Sequence, residues 1–350
     1  GVTVRCAALL PFSIEPVVEQ VVTGVLLDDT RGTMVDREAG RPLAYMTQRS
    51  RLDAFLVERA QEAGVEFRDG HAAREIIEAA DGTFRVRVEH GDVHTSRVLI
   101  GADGANGVVG TALGFGHAGE LAVALEGNLP CPDGLPAFIR GRLALSLALL
   151  PGGYGWLFPK GDHINVGVGG WKTVSGPVLR ATLDAYTRSW GWEPAALIGV
   201  RGHHLPMLRA GAVLAARGVA LVGDAAGLVD PLSGEGITSA VTSGVAVAPA
   251  VDDYLSGAAR DLAGYQCTLE RELLPELVAS RGLMEVFHAW PRPITWVALR
   301  SGRAWRAMAR LASGDRTYHG IVRRTGPLAP TLAPLAAVAR HVSTARFGAR

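Results

Sequence analysis

The alternation of apolar and polar positions divides this chain into strands, helices and turns. Residues 84–90 alternate apolar and charged side chains, which predicts a half-buried strand, and a Gly-Asp turn leads on to a partner strand. Over residues 50–63 the apolar positions recur at helical spacing, and a glycine follows as the stop. Residues 98–102 and 219–222 are short apolar runs, which predict buried strands.

The same reasoning assigns most of the remaining chain. Further strands are predicted at residues 22–27, 65–67, 121–129, 137–149 and 163–169. Further helices are predicted near residues 15–22, at 177–190 and from about Gly236 onward. Residues 258–312 are predicted to be mostly helical, with breaks at Pro275, Pro291 and Pro293. The strands between residues 121 and 169 therefore predict an antiparallel sheet.

The order of these elements predicts a mixed α/β fold. We expect a Rossmann-like dinucleotide-binding domain in discontinuous pieces, an inserted antiparallel-sheet substrate domain and a helical C-terminal region. The predicted boundaries are 1–115 for the first part of the binding domain (with some strands of the substrate domain), 116–205 for the substrate domain, 206–256 for the second part of the binding domain, and 257–350 for the helical region. A chain of 350 residues is long enough for this division.

Composition narrows the classes of function. The net charge is +1, which gives no overall reason to expect nucleic-acid binding. The cysteines, Cys6, Cys131 and Cys267, are far apart and form no zinc pattern, so we predict no metal site and a reduced, cytoplasmic setting. No signal peptide and no transmembrane segment are apparent in the sequence.

The segment from Gly218 to Ile237 carries the clearest candidate chemistry. It predicts a strand, a tight turn and a helix N-terminus, an arrangement that holds anionic or electron-rich ligands on backbone N–H groups. Asp224 can accept hydrogen bonds from sugar-type hydroxyls, and glycines allow the backbone to approach a flat ring. A Gly-Asp pair alone is also typical of a structural turn. The candidate cofactor-binding residues here are Gly223, Asp224, Pro231, Gly234, Gly236 and Ile237.

Three aromatic residues mark a second candidate region. Tyr154, Trp156 and Phe158 occupy alternate positions of one predicted strand, so they share one face and form an apolar wall. Pro159 and a lysine follow, and Gly167 and Gly169 lie on the next predicted strand. An ordinary stripe of core aromatics is the alternative interpretation of the three rings alone.

These motifs together resemble one known family. The segment from Gly218 to Ile237 resembles the second flavin-binding motif of FAD-dependent oxidoreductases with the p-hydroxybenzoate hydroxylase fold. The sequence YGWLFPK followed by NVGVG is similar to the Tyr-x-Trp-x-Phe-Pro-Lys…Gly-x-Gly signature of geranylgeranyl reductases. Residues 101–104 resemble the family's Gly-Ala-Asp-Gly motif, Arg49 its helix-start arginine, and Cys6 its Cys-Gly-Gly cysteine, with alanines in place of those glycines.

The resemblance implies a function and a set of site residues. FAD is the implied cofactor, and Arg49, Asp103 and Gly104 join the cofactor-binding residues named above. The implied activity is reduction of carbon–carbon double bonds in isoprenoid or menaquinone chains, with NADPH or NADH as electron donor. The implied substrate-binding residues are Tyr154, Trp156, Phe158, Pro159, Gly167 and Gly169. Cys6 and Tyr154 are candidate proton donors, with bound water as a third, and we expect the aromatic strand to face Asp224 across an apolar cavity.

One further motif is interpreted as a coincidence. Residues 114–119 match GxGxxG, but a helix end precedes them and a predicted strand follows, which is the reverse of a dinucleotide fingerprint. The strand–GxGxxG–helix unit that the family places first is absent from the sequence as given. The simplest interpretation is that this unit was cut from the chain or lost in the source sequence, and we expect only weak FAD binding without it.

Several alternatives stay open at this stage. A flavin-dependent monooxygenase or halogenase shares the fold, and a flavin-free remnant or lipid-binding protein is a non-catalytic alternative. A helix predicted over residues 294–312, with arginines beside Trp296, Trp305 and Met308, either lies on the inner face of a membrane or presents a solvated basic face. The adjacent pair His203 and His204 is interpreted as structural.

Overall fold

The computed structural model describes residues 1–29, 32–115, 120–150, 152–171, 174–207 and 211–324. The chain forms two compact units. The first comprises residues 1–52, 122–203 and those from 278 on, and the second comprises residues 53–121 and 204–277. Each unit is described by itself below, and the four-part domain division remains a prediction.

The described strands, in chain order, are β1 (Val2–Thr3), β2 (Gln20–Val22), β3 (Gly24–Asp28), β4 (Met34–Glu38), β5 (Ala44–Met46), β6 (Ala73–Glu78), β7 (Phe84–Val88), β8 (Val93–Ser96), β9 (Leu99–Gly101), β10 (Glu120–Pro130), β11 (Arg142–Leu147), β12 (Tyr154–Pro159), β13 (His163–Trp171), β14 (Ile198–Met207), β15 (Ala215–Ala216) and β16 (Val219–Leu221).

The described helices are α1 (Val4–Ala7), α2 (Arg49–Glu62), α3 (Val109–Ala112), α4 (Gly176–Ser189), α5 (Ile237–Ser256), α6 (Ala263–Glu272), α7 (Leu274–Ala289), α8 (Pro291–Arg300), α9 (Gly302–Ala312) and α10 (Tyr318–Arg324). Short 3-10 turns occupy Glu15–Val17, Ala137–Ile139, Pro194–Ala196 and Gly223–Ala226.

A seven-stranded sheet is the main feature of the first unit. Its strand order is β14-β10-β13-β12-β11-β3-β4. One face packs against α4, where Leu157, Val166 and Leu183 are fully buried. The other face meets α8 and α9 through a second cluster that includes Leu27, Leu299 and Trp305. Because successive side chains of a strand point to opposite faces, one face of the sheet packs against α4 and the other carries the aromatic residues of β12.

The predicted antiparallel character of this sheet holds for β10 with β13, β13 with β12 and β12 with β11. One pair departs from it, because β11 runs parallel to β3, with Arg142 opposite Gly24. The two strands lie far apart in the chain, so local sequence pattern contains no signal for their pairing.

The second unit has its own core. Strand β16 pairs in parallel with β9 and antiparallel with β15, and β6-β7-β8 form a separate antiparallel sheet. Helices α5 and α6 contribute Val247, Tyr265 and Leu269 to the cluster that buries β16 and Phe84. The Tyr265 hydroxyl donates a hydrogen bond to the Leu221 carbonyl at 2.7 Å, so the one polar atom of this ring is satisfied in the core.

Three local predictions were wrong. Residues 65–67 form no strand, because Val65 and Phe67 are exposed (55% and 51%) and pair with nothing described. The helix predicted near residues 15–22 is a 3-10 turn followed by β2, in keeping with its β-branched valines. The single helix predicted over 294–312 is interrupted at Ser301, whose hydroxyl accepts a hydrogen bond from Ala304 N at 3.2 Å and caps α9.

Candidate functional site

The turn after β16 is shaped by its packing on α5. Gly223 has a φ of +55°, and a Cβ on it would lie 3.1 Å from the Cβ of Ala240. Its N–H donates to the buried Ser243 hydroxyl at 3.0 Å. A larger residue at Gly223 would both strain the backbone and push the turn away from the helix. The predicted strand, turn and helix are thus confirmed, with Gly236 as the N-cap of α5.

Asp224 lies against the start of α5. Its side chain is half-buried, and a Cβ on Gly236 would lie only 2.7 Å from its Oδ1. Glycine at position 236 therefore lets a carboxylate occupy the space beside the helix N-terminus. The carboxylate accepts hydrogen bonds from hydroxyls, and the positive end of a helix dipole favours electron-rich groups. This donor and acceptor set fits the ribityl chain and ring edge of a flavin.

The loop between this turn and α5 is held by Asp230. Its Oδ1 accepts hydrogen bonds from Leu232 N at 3.0 Å and from Ser233 N at 2.7 Å. Gly234 has a φ of +70° and donates its N–H to the Asp230 carbonyl at 2.9 Å. Pro231 lies inside this turn, so Pro231 and Gly234 have a conformational role that is independent of any ligand.

Glu235 is a residue of this site that the sequence reasoning missed. Its carboxyl accepts a hydrogen bond from Thr238 N at 2.8 Å, in the first turn of α5. Burial raises the pKa of the Glu235 carboxyl, even though its hydrogen bond to Thr238 opposes the shift. The sequence carried only a weak signal for this contact, because Glu235 precedes the N-cap Gly236 and glutamate is not among the residues preferred at N-caps.

The Gly-Ala-Asp-Gly motif has a local structural role as well. Asp103 Oδ2 accepts hydrogen bonds from Val108 N at 2.6 Å and from Val109 N at 3.0 Å, and so caps α3. A Cβ on Gly107 would lie 2.2 Å from the Asp103 carboxyl carbon, and Gly104 has a φ of +77°. The motif therefore builds the turn that follows β9, and cofactor contact by Asp103 and Gly104 remains a prediction.

In the first unit the three aromatic residues of β12 share one face as predicted. The ring centroids of Tyr154 and Trp156 are 5.8 Å apart, and those of Trp156 and Phe158 are 5.9 Å apart. Trp156 is only 8% exposed, whereas Tyr154 and Phe158 are half-buried. The flanking rings, more than the central indole, are therefore the accessible parts of this stripe.

Two of the glycines of β13, Gly167 and Gly169, lie against the Trp156 indole. Gly167 lies opposite Trp156 in the register of β12 and β13. A Cβ on Gly167 would lie 2.1 Å from Trp156 Cζ2, and one on Gly169 would lie 3.4 Å from Cζ3. The Gly-x-Gly spacing thus has a physical cause: alternate residues face the same side of the strand, and the flat ring lies directly on the backbone there.

A row of polar side chains continues from the indole across the sheet. Trp156 Nε1 donates to Asn165 Oδ1 at 2.8 Å, and Asn165 Nδ2 donates to Asn128 Oδ1 at 3.1 Å. Glu126 lies 3.2 Å from His203 Nε2. Burial raises the pKa of Glu126, but the hydrogen bond and charge of His203 outweigh it, so the net shift is downward. The indole is thereby fixed in position as well as buried.

Lys160, at the end of the same strand, is a second functional candidate that the sequence reasoning left without a role. It is 8% exposed, and its Nζ donates to the Thr47 carbonyl at 2.8 Å. Burial lowers its pKa, while the charges of Glu126 and Glu19 raise it. The buried Lys160 thus connects β12 by a hydrogen bond to the segment that leads into α2. Pro159, beside it, is also buried.

The remaining predicted residues of the first unit lie on short elements. Cys6 is 1% exposed in α1, and its N–H donates to Thr3 Oγ1 at 3.0 Å. Arg49 is the exposed first residue of α2. The aromatic strand and Asp224 belong to different units, and their facing each other remains a prediction.

The paired histidines make separate contacts. His203 meets Glu126, whereas His204 Nδ1 lies 3.2 Å from Asn106 Oδ1. In the described ranges, no group of three or more His, Cys, Asp or Glu side chains is arranged to hold a metal ion. Of the GxGxxG match, Gly114 follows α3, β10 begins at Glu120, and residues 116–119 lie outside the described residues.

A cavity of about 600 Å³ lies within the second unit. It is lined by Arg97, Arg217, Arg260 and Tyr254, among others. Arg97 and Arg217 precede β9 and β16, so the cavity is at the amino ends of these parallel strands, opposite the edge that carries Asp224. Ligands of open parallel sheets bind at the carboxyl ends of the strands, which favours the Asp224 edge as the cofactor site.

Known proteins are similar in sequence to this chain. Residues 12–133 match the model of an FAD binding domain. A chloroplastic geranylgeranyl diphosphate reductase from Oryza sativa subsp. japonica is 33% identical over 282 residues, which cover 74% of this chain and 59% of that protein. A menaquinone reductase from Mycolicibacterium smegmatis is 28% identical over 310 residues, covering 84% of this chain and 67% of that protein.

The chain is thus similar in sequence to FAD-dependent oxidoreductases of the geranylgeranyl reductase type. The resemblance drawn from the motifs is therefore confirmed. The chain spans only about three fifths of the rice reductase (59%), so activity and substrate are taken up below as proposals.

Two solved structures have a fold similar to that of this chain. A geranylgeranyl bacteriochlorophyll reductase-like protein from Thermoplasma acidophilum superposes with a TM-score of 0.67 at 18% identity, over 96% of this chain and 84% of that one. The flavin-dependent halogenase CmlS gives a TM-score of 0.63 at 17% identity, over 87% and 59%. At these identities the likeness concerns the fold alone, and the predicted mixed α/β flavoprotein fold is confirmed.

Proposed function

We propose that this protein is an FAD-dependent reductase of carbon–carbon double bonds in isoprenoid chains of the geranylgeranyl or menaquinone type. The observation that carries the proposal is the aromatic strand, in which Trp156 is seated on Gly167 and flanked by two half-buried rings. An apolar strip of this kind suits a hydrocarbon chain, and relatives named geranylgeranyl diphosphate reductase and menaquinone reductase share the chain's sequence.

The second unit supplies the residues that would hold the cofactor. Asp224, with Gly236 beside it, would accept hydrogen bonds from the ribityl hydroxyls, and the start of α5 would stabilise negative charge at the ring edge. The chemistry supplied at this site by FAD would be hydride transfer from its reduced ring, with NADPH or NADH as the proposed electron donor.

The first unit supplies positioning and a proton. Tyr154, Trp156 and Phe158 would align the alkene and exclude water from it. Reduction delivers the hydride to one alkene carbon and a proton to the other. The proton would come from Tyr154 Oη, from Cys6 Sγ or from a bound water. Tyr154 is the more accessible of the two side chains, since Cys6 is 1% exposed.

Substitution of the central indole tests the proposal. We expect Trp156→Ala to raise KM for an isoprenoid substrate at least tenfold or to abolish turnover, with the same flavin content as wild type after reconstitution with FAD. The matched control is Phe138→Ala, an aromatic of the same unit that stacks on Trp190 at 5.6 Å, and it should retain wild-type kinetics. Unchanged kinetics of Trp156→Ala would contradict the role of the aromatic strand.

The reaction assay separates the alternatives on this fold. Anaerobic incubation with NADPH and geranylgeranyl diphosphate or menaquinone should yield product with two added hydrogens per reduced bond. Oxygen-dependent NADPH consumption with a hydroxylated or halogenated product would instead favour a monooxygenase or halogenase. Colourless protein that cannot be reconstituted with FAD would support the flavin-free lipid-binding alternative.

Peripheral membrane contact is part of the proposal, since long isoprenoid chains partition into bilayers. Among the described residues, no helix is long and apolar enough to cross a membrane. Contact with a bilayer would therefore have to be made by a surface of the described fold or by parts of the chain outside it.

A further inference from the structure

The surface of α8 and α9 is unusual in its charge. Between Glu285 and Asp315 the sequence contains five arginines and no acidic residue. The arginines are Arg292, Arg300, Arg303, Arg306 and Arg310, and all five are exposed. Within the described part of the chain, none of the five makes an ion pair with a carboxylate within 4.0 Å. The positive charge of this surface is thus not neutralised by an ion pair with any described carboxylate.

Two apolar side chains lie exposed among these arginines. Trp296 is 57% exposed and Val297 is 44% exposed. The Arg300 guanidinium lies over the Trp296 ring, 5.3 Å from its centroid. Residues 292, 296 and 300 recur every four positions and so share one face of α8. An exposed tryptophan framed by arginines is typical of surfaces that enter the headgroup region of a bilayer.

The opposite faces of the two helices anchor them to the sheet. Leu299 and Ala309 are buried (1% and 6% exposed). Arg37 on β4 donates to the Leu299 carbonyl at 2.5 Å, and Trp305 Nε1 donates to the Glu38 carbonyl at 3.2 Å. The arginine surface is therefore held on a rigid support, and the helices do not need to detach in order to present it.

The acidic residues that flank this segment are engaged elsewhere. Asp315 forms an ion pair with Arg41, and Glu285 is buried, with Arg281 at 3.6 Å. Neither carboxylate is placed to neutralise the arginines of α8 and α9. The structure also corrects the sequence-based picture of this face, because Trp305 packs into the core while Trp296 remains at the surface.

We propose that the exposed arginines of α8 and α9, with Trp296 and Val297 between them, form a docking surface for an anionic lipid bilayer. Each basic residue near an anionic surface adds attraction, and the aromatic ring adds interfacial anchoring. The proposal deepens the proposed function and rests on it for the choice of partner, because an isoprenoid substrate resides in a membrane.

Vesicle flotation tests the docking surface without any turnover. Wild-type protein should bind vesicles with 30 mol% phosphatidylglycerol, bind pure phosphatidylcholine vesicles weakly, and be released by 0.5 M NaCl. Neutralising Arg303→Gln, Arg306→Gln and Arg310→Gln together should lower the partition coefficient at least tenfold. Trp296→Ala should lower it about threefold or more and leave the salt dependence in place.

A matched control removes the same charge elsewhere. Arg68→Gln, Arg74→Gln and Arg87→Gln together eliminate three exposed arginines of the second unit, each of which is paired with a glutamate. This variant should bind vesicles like wild type, and circular dichroism should show both triple variants folded. Equal loss of binding in the control, or no loss in the α9 variant, would overturn the proposal.

Two more outcomes are decisive. If duplex RNA of the same phosphate concentration competes fully with the vesicles, and Trp296→Ala has no effect, the surface is a general polyanion site and the bilayer proposal is wrong. Failure of the reductase assay with intact vesicle binding would overturn the proposed function alone. Intact reductase activity in detergent with no vesicle binding would overturn the docking surface alone.

Discussion

At the residue scale, the glycines of the candidate site are explained by what their missing side chains leave room for. Gly167 makes room for the Trp156 ring, and Gly236 makes room for the Asp224 carboxylate. The motifs marked Gly236 as a cofactor-binding candidate and Gly167 as a substrate-binding candidate, and those roles remain predictions. The motifs could not indicate what occupies the space, because the occupant of Gly167 lies on a neighbouring strand, and that of Gly236 lies twelve positions earlier in the chain.

The Gly167 contact leads to a direct prediction. Gly167→Ala should lower the free energy of unfolding by roughly 1–3 kcal/mol and reduce turnover, because its Cβ would overlap the Trp156 ring. Denaturant unfolding and steady-state kinetics measure the two effects. The control is Gly176→Ala in the first turn of α4, where a Cβ meets nothing within 4 Å and stability should be unchanged or slightly higher. Unchanged stability and turnover of Gly167→Ala would show that the position of the Trp156 ring does not depend on a glycine at position 167.

At the scale of elements, side chains at the ends of helices decide how the motif turns are built. Asp103 caps α3, Glu235 caps the start of α5, and Ser301 ends one helix and begins the next. Periodicity predicted the helix at 177–190 and the strands around residues 84–96 well. It failed over 294–312, because the helical spacing of the arginines continues across a cap that interrupts the backbone.

Substitutions of Asp103, which caps α3, can distinguish a structural role of the Gly-Ala-Asp-Gly motif from a role in cofactor binding. Asp103→Ala should cost about 1 kcal/mol in the free energy of unfolding, because it leaves Val108 N and Val109 N without their acceptor. Asp103→Asn keeps an acceptor oxygen and should have nearly wild-type stability. Thermal unfolding measures both, and flavin content is followed in parallel. An Asn variant as unstable as the Ala variant would contradict the capping role, whereas a stable Asn variant that loses flavin would assign Asp103 to the cofactor.

At the scale of the whole molecule, charged residues are distributed unevenly along the chain, and one histidine has a shifted pKa. The net charge is only +1, yet residues 286–314 form a segment of 29 residues that contains arginines and no acidic residue.

His288 on α7 is a titratable residue in an unusual environment, and its Nε2 accepts a hydrogen bond from Trp171 Nε1 at 2.9 Å. Burial lowers the pKa of His288 to about 4, although a hydrogen bond to the Gly152 backbone opposes the shift.

The partly buried His288 predicts how the stability of the protein depends on pH. Its folded-state pKa of about 4 lies below the ordinary value of 6.5, so the unfolded chain binds more protons between these two values. The stabilisation is therefore fully present above about pH 6.5 and is lost as the pH falls toward 4, by roughly 3 kcal/mol at most. His288→Gln should flatten this part of a urea-unfolding profile measured from pH 4 to 8. A wild-type profile that is already flat there would contradict the assignment.

The sequence by itself indicated the resemblance to geranylgeranyl reductases, the flavoprotein fold and the two candidate regions of the site. These follow from local patterns, since a strand, a turn and a helix start are specified by residues next to one another, and alternate positions of a strand share a face. Only the tertiary structure decided that β11 pairs in parallel with β3, that Trp156 rests on Gly167, and that α8 and α9 bury Trp305 and expose Trp296. Those facts depend on contacts between residues far apart in the chain, where packing and burial choose among arrangements that local patterns leave equally allowed.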